Sequence, residues 1–245
     1  MSELTKAQEK YFEDSLMRDI NNNLLVCYHG RRHDIDTFDK ASLEKSRDEG
    51  FLGKGFYFST DEKYCNEYGK YKYACYLNIT NPLIISDLDY SEIEDIMDYM
   101  KEHHPDYGKA GGPPRLDYLN NSERDDVLTS DDFTKETFLL GFWKDYSQQL
   151  TEYAKEKGYD GILIDTPLGG DVFELVVFEP NQIKSIDNLY PTKSDNFKDN
   201  SQEYLKENMG KMSFDEQVEV SKYVAEKQAK QNNKNKDKQK GKDGR

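Results

Sequence analysis

The residues best suited to chemistry fall in three short stretches. The first is His29-Gly-Arg-Arg32, a polar tetrapeptide that ends the apolar run Leu24-Leu-Val-Cys-Tyr28. Polar residues and a glycine at the end of a buried strand are held by a rigid scaffold and let backbone approach a ligand, so sites tend to sit there. The second is Gly53-Lys-Gly-Phe-Tyr-Phe-Ser-Thr-Asp-Glu-Lys-Tyr-Cys-Asn-Glu-Tyr68, in which two glycines flank a lysine and three aromatics follow in a row. If Tyr57 and Tyr68 point into one space, they make two walls of a slot the width of a planar ring. The third is Glu174, one acid within Phe173-Glu-Leu-Val-Val-Phe178. An unpaired carboxylate in an apolar strand is costly, so a chain keeps one for a partner or a task. Blander readings stay open: aromatics fill ordinary cores, and Glu174 on an edge strand would face water.

The elements that must position these residues follow from pattern. The unbroken row Phe56-Tyr-Phe58 reads as a strand buried on both faces. Ser59, Thr60 and Asp61 offer N-cap chemistry for a following helix with Tyr64 and Tyr68 on one face. Leu4, Ala7, Tyr11, Phe12, Leu16 and Ile20 predict an amphipathic helix over 3–20, within an N-terminal segment 1–23. The strand from Leu24 stops at His29, and residues 33–52 form a loop with a helical turn at Ser42 to Arg47. Tyr71 to Ile79 and Leu83-Ile-Ile85 are strands on either side of Pro82. Ser91-Glu-Ile-Glu94 reads as a capping box opening a short helix. Residues 101–131, with Gly111-Gly-Pro-Pro114, read as a long exposed loop. Leu139, Phe142, Trp143, Tyr146, Leu150 and Tyr153 mark a helix that Gly158 closes. Tyr159 to Asp165 and Phe173 to Phe178 are strands, and Pro180 to Ile186 adds one more short strand or turn. The main domain therefore spans 24–187, with 86–131 as a helix-and-loop insertion. Residues 188–230 form a polar, partly helical extension, and 231–245 a basic tail expected to be disordered.

Composition narrows the function classes. The net charge of the 245 residues is −14, yet from Lys222 onward nine Lys or Arg stand against three acids. An acidic body argues against nucleic acid or an anionic membrane as partner, leaving only a weak tether through the tail. Three cysteines without a C-x-x-C pair suit a reducing cytoplasm. No signal peptide and no membrane-length apolar run is evident, so a soluble cytoplasmic protein is expected, a location compatible with delivery into a host cell. The nucleophile elbow and the phosphate-binding glycine loops are missing from the sequence. Glu102-His-His104 lacks a further ligand, so no metal is expected, and His33 reads as an exposed loop residue.

In this order and with these neighbours, the three stretches resemble the His-Tyr-Glu ADP-ribosyltransferases, the group that includes diphtheria toxin and the poly(ADP-ribose) polymerases. His29-Gly-Arg-Arg32 matches that group's His-Gly-x-Arg, Gly53-Lys-Gly-Phe-Tyr-Phe58 its glycine-tyrosine motif, and Glu174 with Gln182-Ile183 its third motif. Tyr76-Leu-Asn-Ile-Thr-Asn-Pro82, Tyr159-Asp-Gly-Ile162 and Asn181-Gln-Ile-Lys-Ser185 look closest to the ADP-ribosyltransferase domains of phage and mobile-element polyvalent proteins. The resemblance runs from about Leu24 to Ile186.

The resemblance implies an α+β fold in which two small, mainly antiparallel sheets form an NAD cleft flanked by helices. It implies an enzyme that cleaves the nicotinamide–ribose bond of NAD and transfers ADP-ribose to a macromolecular acceptor, a host protein, as a monomer without a metal. His29, Tyr57 and Glu174 would be catalytic, and His29, Gly30, Arg32, Tyr57, Tyr68 and Cys65 would hold NAD. Cys65 stands where the group often has a serine for the carboxamide, and Val172 where its arginine-modifying branch has an acid or amide, which disfavours arginine as acceptor. NAD glycohydrolysis, or a silent NAD- or ADP-ribose-binding module, is the alternative.

Overall fold

The computed structural model describes residues 3–44, 50, 52–110, 112, 144–164 and 174–240. Strands β1 (Cys27–Arg31), β3 (Tyr71–Leu77) and β7 (Ile183–Ser185) form an antiparallel sheet in the order β1-β3-β7. Strands β2 (Phe56–Phe58), β4 (Pro82–Ile84), β5 (Gly161–Leu163) and β6 (Leu175–Val177) form the second, ordered β2-β6-β5-β4, in which only β4 and β5 run parallel.

Residue type explains the layering. Phe56, Phe58, Leu175 and Val177 share a buried core with Cys27, Cys75, Leu77 and Ile183 of the three-stranded sheet. The alternate positions Tyr57, Val176 and Phe178 join a second core containing Ile93, Ile96 and Met100 of helix α3 (Tyr90–His103) and Leu150 and Tyr153 of helix α4 (Ser147–Glu156). The sheet with β2 is thus covered on both faces, which is why its strands read as unbroken apolar runs. Each large side chain buried there contributes roughly 1.5–3 kcal/mol to stability.

Several elements depart from the expected bounds. Helix α1 covers only Lys6–Tyr11, opened by a Thr5–Gln8 capping box. Phe12 is fully buried, whereas Leu16 and Ile20 are 49% and 80% exposed. The Asp19 carboxylate accepts from the backbone N–H of Asn21 and Asn23, both at 2.9 Å, and turns the chain back instead of letting the helix run on. Helix α2 spans Lys40–Glu44, starting just before the expected turn. In α3 the cap is Asp89, with Glu92 completing the box, rather than Ser91 with Glu94. Ser59 to Asp61 cap no α-helix: a 3₁₀ segment, Tyr64–Glu67, follows with no side-chain cap. Helix α4 does end as its glycine implies. Gly158 (φ +86°) donates to Lys155 O and Tyr159 to Ala154 O, satisfying the last carbonyls. Helices α5 (Ser201–Asn208) and α6 (Phe214–Lys240) form the C-terminal extension, and α6 runs ten residues past the point where composition predicts loss of structure. Most of the expected 101–131 loop lies outside the described residues.

Candidate active site

The two sheets meet at one bridge. Tyr28 N–H donates to Ser59 O at 2.7 Å and Ser59 N–H to Tyr28 O at 3.0 Å, joining β1 to the end of β2. Beside it opens a cleft of about 320 Å³, mouth included, onto which His29, Gly30, Tyr57, Cys65, Tyr68 and Glu174 all face. Six of the seven expected site residues therefore converge. Arg32, one residue beyond β1, is exposed and does not line the cleft. Strand β1 does not stop at His29 as expected but carries His29, Gly30 and Arg31 within it, opposite Tyr73, Lys72 and Tyr71.

His29 is fixed by one bond. Its Nδ1 lies 2.6 Å from Tyr57 O, and since a carbonyl only accepts, Nδ1 carries the proton. Burial pushes the imidazole pKa down to about 4, against the opposing pull of the Tyr57 hydrogen bond and with a further lowering from Arg31. The ring is therefore neutral at physiological pH and its Nε2 is an acceptor. That Nε2 is buried and, among the described residues, has no hydrogen-bond partner. A buried acceptor left unpaired costs about 1–3 kcal/mol, which a hydroxyl on a ligand would recover.

Gly30 is required by close approach. A Cβ there would sit 2.3 Å from Cys65 O and 3.1 Å from Tyr68 Cβ, so the 3₁₀ segment rests directly on β1 at this point. Residues two apart on a strand direct their backbone groups the same way. Gly30 therefore turns its N–H and C=O to the side where Tyr28 meets Ser59, and the antiparallel register of that bridge sets it across the cleft from Tyr57.

Tyr57 plays a part that its type alone does not reveal. Its hydroxyl donates to Gly53 O at 2.6 Å and accepts from Leu52 N–H at 2.9 Å. A Cβ on Gly50 (φ +70°) would fall 1.9 Å from that oxygen. The glycine-rich loop is thus folded around the phenol, which fixes the ring from its hydroxyl end. Thr151 of α4 secures the same loop by accepting from Lys54 N–H at 2.6 Å.

The Cys65 thiol has a partner within the protein. The thiol donates to Tyr28 O at 3.2 Å, and burial, with nearby carboxylates including Glu174, pushes its pKa up to about 11. It is a structural thiol, not a nucleophile. Tyr68 is 45% exposed, and burial of its hydroxyl, the bond to Tyr64 and the charge of Glu174 raise its pKa. Glu174 directly precedes β6. Because Phe58 pairs with Leu175, the next step of the register sets Glu174 opposite Ser59, at the bridge. Strand β6 lies between β2 and β5, so Glu174 is not on an edge strand.

Sequence reasoning missed Tyr28 and Ser59 as cleft residues and gave Tyr64 only a helical spacing. Ser59 carried the one usable signal, its place directly after a doubly buried strand. Val172 and the rest of 165–173 lie outside the described residues. At Glu102-His-His104, His103 stacks on Tyr99 at 3.9 Å and His104 ends α3. Among the described residues, no group of three or more His, Cys, Asp or Glu is placed to hold a metal ion.

Two small, mainly antiparallel sheets that meet at a cleft holding His29, Tyr57 and Glu174 define the ADP-ribosyltransferase fold. The family model described as ADP-ribosyltransferase in polyvalent proteins matches residues 19–193, and the chain belongs to that family. Membership supports ADP-ribosylation as the general activity, and enzymes of this family use NAD as substrate. One solved structure, described as "Crystal structure of an anti-CRISPR protein", matches at 16% identity over 62% of this chain and 88% of that one. Its TM-score is 0.29. No curated protein matches.

Proposed function

We propose that the protein is an NAD-dependent ADP-ribosyltransferase that splits the nicotinamide–ribose bond and passes one ADP-ribose to a host protein. The observation that carries this reading is the buried Nε2 of a neutral His29, unpartnered among the described residues, in the same cleft as Gly30, Tyr57, Tyr68 and Glu174. A dinucleotide supplies what that set lacks. A ribose hydroxyl from its adenine half donates to His29 Nε2. Gly30 offers the carboxamide a backbone donor and acceptor with no side chain in the way. Tyr57 and Tyr68 present ring faces to the nicotinamide, whose positive charge suits aromatic walls.

Glu174 then does the electrostatic work. As the C1′–N bond breaks, its electron pair leaves with nicotinamide and the ribose becomes cationic. A carboxylate that accepts the neighbouring 2′-hydroxyl stabilises this developing charge, an effect on the order of 3–4 kcal/mol. The acceptor's nucleophile forms the new bond to C1′ and gives up its proton to solvent. Three free cysteines suit a reducing cytoplasm as the place of action. Among the described residues, no helix is long and apolar enough to cross a membrane.

The test is nicotinamide release from NAD with and without cell lysate, with mass spectrometry of the labelled products. Transfer predicts release that rises with lysate and modified protein in it. Release that ignores lysate assigns glycohydrolysis, and no release in either sample leaves a binding module.

A further inference from the structure

Tyr68 is the least secured wall of the cleft. It is 45% exposed and stands at the end of a single 3₁₀ turn that has no side-chain cap. Its backbone N–H donates to Cys65 O at 3.3 Å, and its Cβ rests against Gly30. Beyond Cβ, the aromatic partner of the ring among the described residues is Tyr64. Tyr64 meets it edge-on, with centroids 5.4 Å apart and planes at 63°, and the two hydroxyls are 2.9 Å apart. Tyr64 is itself half-buried and lines the same cleft. The bond runs from the Tyr68 hydroxyl to the Tyr64 oxygen, and burial, that bond and the Glu174 charge raise the Tyr68 pKa.

Three other polar groups around the cleft have different engagements. The Tyr57 hydroxyl is bonded to Gly53 O, the Cys65 thiol to Tyr28 O, and the Ser59 hydroxyl oxygen accepts from Asp61 N–H at 3.1 Å. None of these restrains Tyr68. An exposed tyrosine without its tip contact samples several rotamers, and a ligand that needs one of them must order the ring on binding.

We propose that Tyr64 is a positioning residue that sets the angle of the Tyr68 ring through the hydroxyl bond and the edge contact, and thereby the affinity for a flat nicotinamide ring. The ligand in this inference rests on the NAD reading above; the restraint on Tyr68 does not. An isolated hydrogen bond and the ordering of one side chain each translate into roughly three- to tenfold in affinity.

The experiment compares Tyr64→Phe, Tyr68→Phe and the double variant with the parent. Ring ¹³C relaxation is measured on ligand-free protein, and NAD kinetics by nicotinamide release. Tyr64→Phe is expected to mobilise the Tyr68 ring and raise KM for NAD roughly three- to tenfold, with kcat within about twofold. The double variant should be no worse than either single one, because both remove the same bond. Tyr64→Leu, which also removes the edge contact, should raise KM further. An unchanged Tyr68 ring order in Tyr64→Phe, or additive losses in the double variant, overturns the proposal. A parent that releases no nicotinamide sinks the enzyme reading instead, while ring order in the ligand-free protein still decides the role of Tyr64.

Discussion

His29 links the site to a stability measurement that needs no substrate. In the folded protein its imidazole takes a proton only near pH 4, whereas in the unfolded chain it does so near the ordinary 6.5. Between those values the unfolded state holds more protons, so the His29 contribution to stability falls as pH drops and is fully lost below the folded pKa. Above about pH 6.5 neither state is protonated and the contribution is constant. The gap corresponds to about 3 kcal/mol. Other groups titrate in the same window, so the informative quantity is the difference between parent and His29→Gln, followed by denaturant unfolding from pH 7 to pH 4. That difference should shrink toward low pH by about 3 kcal/mol. In parallel, the ring protons of His29 followed by NMR should show no titration above about pH 5, and NAD affinity should stay flat from pH 7 to 5. A ring that titrates near 6.5, or a parent–variant difference that does not change with pH, refutes a buried neutral His29.

Three further outcomes follow from the packing. Tyr57→Phe leaves Leu52 N–H without its partner in a buried loop and should lower unfolding free energy by about 1–3 kcal/mol, measured in urea; an unchanged midpoint would mean the phenol does not hold the loop. Gly30→Ala places a Cβ 2.3 Å from Cys65 O and should abolish NAD binding in calorimetry, with a lower Tm, whereas retained binding would remove the close approach of the 3₁₀ segment to β1. Truncation after Lys227 should leave the melting temperature unchanged. Truncation after Met212 should lower it, because Val220 is buried with Ala7 and Tyr190, and Tyr223 and Val224 pack on them; equal melting of the two would show that α6 adds nothing to the fold.

The parts of this molecule that could be read from sequence are those where residue type and backbone agree. Phe56-Tyr-Phe58 announced a doubly covered strand because no other setting accommodates three successive aromatics. Gly158 announced the end of α4 because the left-handed residue there must be glycine or nearly so. The convergence of His29, Gly30, Tyr57, Cys65, Tyr68 and Glu174 followed from motif order. What stayed hidden depends on competition between local bonds. The Asp19 side chain outcompetes the helix that Leu16 and Ile20 are spaced for, and Asp89 caps α3 two residues ahead of an equally good Ser91 box. Both choices are made by side chain to backbone bonds whose partners cannot be ranked from spacing alone. The same holds for the Tyr57 hydroxyl, whose bond to the glycine loop depends on a positive φ at Gly50 and Gly53. Arg32 matched a motif, but β1 ends before it and leaves it in solvent.

The most direct measurement of the central claim is single-turnover nicotinamide release by Glu174→Gln beside the Kd for NAD of the same variant. The substitution keeps size and hydrogen bonding and removes the charge that we propose acts as the bond to nicotinamide breaks. A loss of about 10²-fold or more in rate, with Kd changed only a few-fold, is what transition-state stabilisation of this kind gives. The Gln variant should melt no lower than the parent, since a partly buried carboxylate costs folding energy. Near-parent turnover in Glu174→Gln would contradict the assignment of Glu174 as the residue that meets the ribosyl cation.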